Sequence, residues 1–127
     1  MELNAGVEFR LRLLGDSGQV DRDSLAACRR VIKAVEERYR ITVGEDNGGM
    51  FVTHLAVALA RLRAGQPVTE IPPVAVAEAR EHVAIWQFIA DTAGAAAASL
   101  GAALPESEVA FLTLHLAALL EGSDAGA

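Results

Sequence analysis

Residues 48–65 read GGMFVTHLAVALARLRAG. On a helix, Phe51 or Val52, Leu55, Leu59 and Leu62 fall on one stripe and make a core face. The adjoining stripe carries Asn47, Met50, His54, Ala58, Arg61 and Gly65. It is apolar but for His54 and Arg61, two turns apart. The spacing predicts a helix that starts near Asn47 or Gly49 and ends at Gly65. Arg61 and Arg63 stand in its last turns, where cations suit the helix dipole. A helix this apolar needs neighbours on most of its circumference, so the rest of the chain has to supply them.

The flanking sequence does so with more helices. Residues 3 to 14 place Leu3, Val7, Leu11 and Leu14 on one face, and GDSG at 15 to 18 stops the run. Asp21 or Asp23 can cap a second helix with Leu25, Cys28, Val31, Ile32, Val35 and Tyr39 at amphipathic spacing. ITVGEDNGG at 41 to 49 is a connector with a brief β-like start. GQPVTEIPP at 65 to 73 is an extended loop whose prolines open a short helix over 73 to 81. Residues 82 to 102 carry another helix, loosened near Gly94. LPESEVAFLTLHLAALLE is the last, with Pro105 near its first turn and Glu106 and Glu108 at its positive end.

The chain has 127 residues, which suits one domain with a core of its own. Hydrophobic residues make up 52% and aromatics only 5%. Small alanine side chains favour close-packed helices over a sheet rich in Val, Ile and Tyr. The expected fold is all-α, a compact bundle of five to six helices. Residues 1–20 form an N-terminal helical extension, 21–121 the main helical domain and 122–127 a disordered tail.

The formal net charge is -6, which makes the chain a poor partner for a polyanion and argues against direct nucleic-acid binding. Arg29, Arg30, Lys33, Arg38 and Arg40 read as a solvated face. The lone cysteine, Cys28, cannot form an intramolecular disulfide and reads as a small buried thiol. The start MELNAGVEFRLR lacks the pattern of a signal peptide, and no apolar run reaches membrane-spanning length. A soluble cytoplasmic protein is expected.

His115 repeats the theme of His54. In EVAFLTLHLAALL it shares a stripe with Glu108, Phe111, Leu112 and Leu119, and Glu108 stands two turns before it. Histidines in such helices are commonly partly buried packing residues, and that bland reading stands beside the functional one. His82, in EAREHVA, has the setting of a surface or boundary residue. No nucleophile elbow, glycine-rich phosphate loop or HExxH spacing is present, so no catalytic site, metal or cofactor is expected. A metal held by His54, His115 and Glu108 would require distant residues to meet. An imidazole can also carry a phosphoryl group, which adds negative charge that an arginine can pair with. That chemistry accounts for a histidine and an arginine on one otherwise apolar stripe.

THLAVALARLRAG resembles the first signature of the PTS regulation domain, or PRD, in which a histidine is followed by alanine at the fourth position and arginine at the seventh. The matching residues are His54, Ala58 and Arg61. LPESEVAFLTLHLAALL resembles the second signature through Glu108, Thr113, Leu114 and His115, and PPVAVAEAREHVAIWQFIA falls where the family has its middle helices. The resemblance covers roughly residues 20 to 121. It implies an all-helical bundle that dimerises and is phosphorylated on histidine by the sugar phosphotransferase system, through HPr or an enzyme II component. Family members occur mostly within transcription antiterminators and activators, where phosphorylation changes dimer packing and switches an attached effector.

By that resemblance His54 and His115 are the candidate phosphoacceptors, and Arg61 and Glu108 are the residues that face the phosphate or support the site. Thr53 stands where the family often has Asp or His. The sequence has room for a single such domain and no effector module, so a stand-alone domain acting on transcription through a partner protein is expected. The alternative is a non-phosphorylated dimeric binding or assembly protein that keeps the fold. The small-residue stripes of residues 52 to 62 and 93 to 103 are the candidate dimer interfaces.

Overall fold

A computed structural model describes residues 3–67 and 70–125 of the chain, with side chains to residue 122. Six helices follow one another: α1 (Ala5–Asp16), α2 (Arg22–Tyr39), α3 (Glu45–Arg63), α4 (Pro73–Glu81), α5 (Val83–Ser99) and α6 (Glu106–Ala125). No strand occurs among the described residues, so the β-like start at 41 is an extended connector. The all-α class and the helix count agree with the sequence reading.

Local chemistry sets the ends. The Asn4 side chain accepts hydrogen bonds from the Gly6 and Val7 amides and starts α1 two residues later than the apolar pattern implies. Asp21 caps α2, accepting from the Ser24 amide and hydroxyl at 3.1 and 2.6 Å. α3 begins at Glu45, ahead of the expected Asn47, because the Asn47 Oδ1 accepts from the Gly44 amide at 2.7 Å and closes the first turn. Proline opens α4. α5 runs through Gly94 without a break and ends at Ser99 rather than 102, where Gly101 takes the left-handed conformation at φ +77°. α6 continues to Ala125, so the tail expected from 122 is helical over its first four residues. Residues 126 and 127 lie outside the described ones.

α3 is the central helix and packs against α1, α2, α5 and α6, while α4 covers α5 and α6. Phe51, Val52, Leu55 and Leu59 are fully buried against Val7 and Leu11 of α1, Ile32 and Val35 of α2, Ile89 of α5, and Leu112 and Leu116 of α6. The core stripe read from the sequence is therefore the core face. α1 contributes directly to this core, more than an extension would. Arg10 ties it to α3 through a bidentate pair with Glu45 and a hydrogen bond to Thr53 Oγ1 at 2.8 Å.

α3 also comes close to its neighbours at Gly48. A Cβ there would lie 2.5 Å from Val43 Cγ1 and 3.0 Å from Leu119 Cδ1. Glycine at 48 thus permits the contact that seats α6 on α3.

Two expectations need correction. The core side of the 52–62 stripe is consumed within the chain, with Ala56 and Leu59 fully buried, and so cannot form a dimer contact. The same holds for Ala93, Ala96 and Ala97, although Ala95 and Ala98 remain exposed. The basic face at α2 is solvated as read, with Arg30, Lys33, Arg38 and Arg40 exposed and Arg29 half-buried, though two of its arginines have partners. Arg29 pairs with Glu8 at 2.9 Å, and Arg30 donates to Ser99 Oγ at 2.9 Å. Among the described residues no helix is long and apolar enough to cross a membrane.

Candidate functional site

The polar stripe of α3 faces α6 across a cleft of about 380 Å³. Met50, Thr53, His54, Val57, Ala58, Arg61 and Leu62 line one side, Glu108, Phe111 and His115 the other, and Pro67 one end. The helical period explains the arrangement. His54 and Arg61 stand on one flank of α3, seven residues apart. Glu108, Phe111 and His115 share one flank of α6. Packing the core faces of these helices together leaves those flanks along a common seam. All four residues singled out from the sequence, His54, His115, Arg61 and Glu108, therefore line one cleft.

The two imidazoles are neighbours. Their ring centroids lie 4.9 Å apart with planes inclined at 35°, and Phe111 stands 5.4 Å from the His54 ring. Glu108 lines the same cleft, against His54. An acid in the first turn of a helix usually reaches into solvent towards the free amides, but Glu108 is only 3% exposed. Its Oε2 lies 3.6 Å from His54 Nε2. That is too long for a hydrogen bond but within ion-pair range when the ring is protonated. Neither atom has a hydrogen-bond partner, and both are buried. The Nε2 edge of His54 therefore turns inward toward a carboxylate, and Nδ1 is the nitrogen left to an incoming reagent.

His115 is held below the ordinary histidine range, first by burial and then by the neighbouring His54. At neutral pH its ring is uncharged and keeps a free lone pair, as nucleophilic chemistry requires. The stability consequence has a definite sign. The unfolded chain binds this proton more readily than the folded one, so the contribution is fully present above about pH 6.5 and falls as pH drops toward the lowered folded value. We expect His115→Gln to flatten the stability profile between pH 7 and pH 5, measured by urea unfolding across that range. An unchanged slope would show that His115 is as solvated as a free histidine.

Arg61 lies on the exposed margin of the cleft and makes no ion pair among the described residues. Arg63, one turn-fraction further, is committed to Asp21 and Asp23 at 2.6 and 2.7 Å. Arg61 is thus a cation available to a bound anion. His82 is elsewhere, at the break between α4 and α5, where its carbonyl accepts the Trp86 amide at 2.8 Å. Cys28 is fully buried with its thiol pushed up to about 12 by burial, so it is inert, as its apolar neighbours imply.

One feature of the site escapes the sequence. Arg10 of α1 hydrogen-bonds Thr53, the residue beside His54. The two positions are 43 residues apart, and neither belongs to a periodic pattern that would pair them. No local signal marks this contact.

Together these features define a class: an all-helical domain with two histidines, from its third and last helices, sharing one cleft with a free arginine. The PRD domain family matches this chain over residues 29–119, from within α2 to near the end of α6. The chain belongs to that family. It is also similar to the uncharacterized protein YhfY of Escherichia coli strain K12, at 30% identity over 83 residues, covering 65% of this chain and 68% of that protein. No solved structure matches. α1 and Arg10 lie ahead of the residues matched by the family.

Proposed function

We propose that this protein is a non-catalytic regulatory domain that takes a phosphoryl group on histidine from the sugar phosphotransferase system and acts on transcription through a partner protein. HPr or an enzyme II component is the donor. The observation that carries this reading is the pair of imidazoles, 4.9 Å apart, in an open cleft whose margin holds the uncommitted Arg61. The donor's N–P bond breaks as a lone pair on a cleft histidine forms the new one, so no metal or cofactor is needed. Arg61 then pairs with the new dianion. Adding that charge at the α3–α6 seam shifts how the domain meets a second copy or an effector. On this reading the protein works in the cytoplasm, as a homodimer, without touching nucleic acid itself.

The test is intact-protein mass after incubation with phosphoenolpyruvate, enzyme I and HPr. We expect an adduct of one phosphoryl group that acid removes, that weakens in His54→Gln or His115→Gln, and that vanishes in the double variant. Phosphate on His54 is expected at Nδ1, because Nε2 is buried against Glu108; phosphorus NMR of the His115→Gln protein reads the position. No adduct, with HPr active on a control protein, would end the phosphotransferase reading. The domain would then be a binding or assembly protein whose histidines only pack.

A further inference from the structure

We propose that the outward face of α1 is a contact surface for a second copy of this chain, with the two α1 helices antiparallel about a two-fold axis. The inference rests on one part of the reading above, the homodimer. It gives that dimer a surface lying ahead of the residues matched by the family.

α1 is held in one orientation. Val7 and Leu11 are fully buried on its inner side. Glu8 pairs with Arg29 of α2 at 2.9 Å, and Arg10 pairs with Glu45 of α3 at 2.7 Å. Ala5, Phe9, Arg12, Leu13 and Asp16 are left outward, all exposed and all on one face at spacings of three and four residues. Phe9 is 57% exposed and Leu13 52%, and they stand one turn apart. The other exposed large apolar side chains among the described residues, Met50, Val74 and Val83, lie on three different helices. Only α1 therefore presents a pair. None of its five outward residues lines the cleft.

Charge says what covers this face. Asp16 is the only charged residue in the last turn of α1, where the negative end of the helix dipole disfavours an acid. Among the described residues neither Asp16 nor Arg12 makes an ion pair. An acid misplaced on its own helix suits the positive end of another. With the two-fold axis near Leu11, one register sets Phe9 on the partner's Leu13 and Asp16 beside the partner's Ala5, at the start of α1. Alanine is small enough to let the acid approach the first turn. Symmetry makes each contact twice, as an isologous interface requires. Two chains of net charge -6 repel each other overall. The α1 face carries one arginine and one aspartate, so it is neutral where the copies touch. A balanced face fits a copy of itself better than a strongly acidic or basic partner. One short helix per chain gives a contact at the small end of specific interfaces, so the association is weak.

Sedimentation equilibrium of the full chain, from about 1 to about 500 µM, is the test. We expect monomers in exchange with dimers and nothing larger, because a two-fold contact closes on itself. Phe9→Glu and Leu13→Glu should each weaken association by about tenfold or more. Helix content and melting temperature at the lowest concentration should stay unchanged in both, since these side chains are exposed in the single chain. Asp16→Lys should move two readings in opposite directions. The melting temperature of the dilute chain rises, because a cation suits the end of its own helix. Association weakens by about threefold or more, because that cation meets the partner's positive end twice. A chain that stays monomeric throughout overturns this proposal and the homodimer reading together. Dimers that persist in Phe9→Glu and Leu13→Glu keep the homodimer and overturn the α1 contact. An Asp16→Lys chain that associates as tightly as the parent overturns the antiparallel arrangement, and growth beyond the dimer overturns the two-fold. Phosphoryl acceptance is read separately by intact mass, so its failure leaves this contact standing.

Discussion

Replacing Phe51 by alanine is expected to remove about 3–5 kcal/mol of stability, the usual cost of deleting a buried aromatic ring and leaving a cavity. Phe51 is 1% exposed and sits on α3, the helix against which α1, α2, α5 and α6 all pack. Its ring cannot be replaced by local collapse, because its neighbours belong to several helices that would have to move together. Domains of this size have total stabilities of about 5–15 kcal/mol, so the variant approaches the limit of folding. The melting temperature should fall by roughly 10–20 °C. Thermal unfolding followed by circular dichroism measures it. A loss below about 1 kcal/mol would mean that the centre of the core lies elsewhere than on α3. As a contrast, Met50 is 73% exposed one residue earlier, and its replacement by alanine should cost a few tenths of a kcal/mol at most.

The second large effect comes from the site. His54→Leu removes the imidazole that lies 3.6 Å from the buried Glu108 Oε2, and we expect a loss of about 1–2 kcal/mol at neutral pH, since the ring is part-exposed and the contact is longer than a hydrogen bond. Leucine fills the ring's space tolerably, so most of that loss is electrostatic. Replacing both residues, His54→Leu with Glu108→Leu, should restore most of it, because removing both members of a buried pair is often neutral while removing one is costly. The double-mutant cycle isolates the coupling by urea unfolding at pH 7. Simple additivity of the two single changes would show that His54 and Glu108 are not a pair at all. His54→Gln keeps a polar group beside the Glu108 carboxyl group and should lose less than His54→Leu. That is why glutamine is the substitution used for the phosphorylation experiments: it removes the nucleophile while sparing the fold.

These two predictions also show how much of the protein is legible in its sequence. Phe51, Leu55, Leu59 and Leu62 recur at helical spacing, and burial of that stripe follows from the hydrophobic effect once a helix forms. The same reasoning finds Leu112 and Leu116 on α6, and Val31, Ile32 and Val35 on α2. Helix ends are read less well. The apolar pattern starts α3 near Asn47 or Gly49, but the Asn47 side chain accepts a hydrogen bond from the Gly44 amide and the helix begins at Glu45. Arg29 and Arg30 look solvated on a helical wheel, but a neighbouring acid or hydroxyl captures each of them once α1 and α5 are in place.

The sequence by itself determines the class of fold, the core stripes and the family, because each depends on residue types repeated at short, regular spacing along one helix. It also singles out His54, Arg61, Glu108 and His115 as polar exceptions on apolar flanks. Only the tertiary structure decides that these four meet. His54 and His115 are separated by most of three helices, and nothing local says that their flanks will lie along one seam. The inward turn of His54 Nε2 onto Glu108, the sparing of Arg61 and the capture of Thr53 by Arg10 depend on how helices pack. Packing angle and register arise from the sum of many side-chain contacts, whereas periodicity along a single helix records only which face is buried.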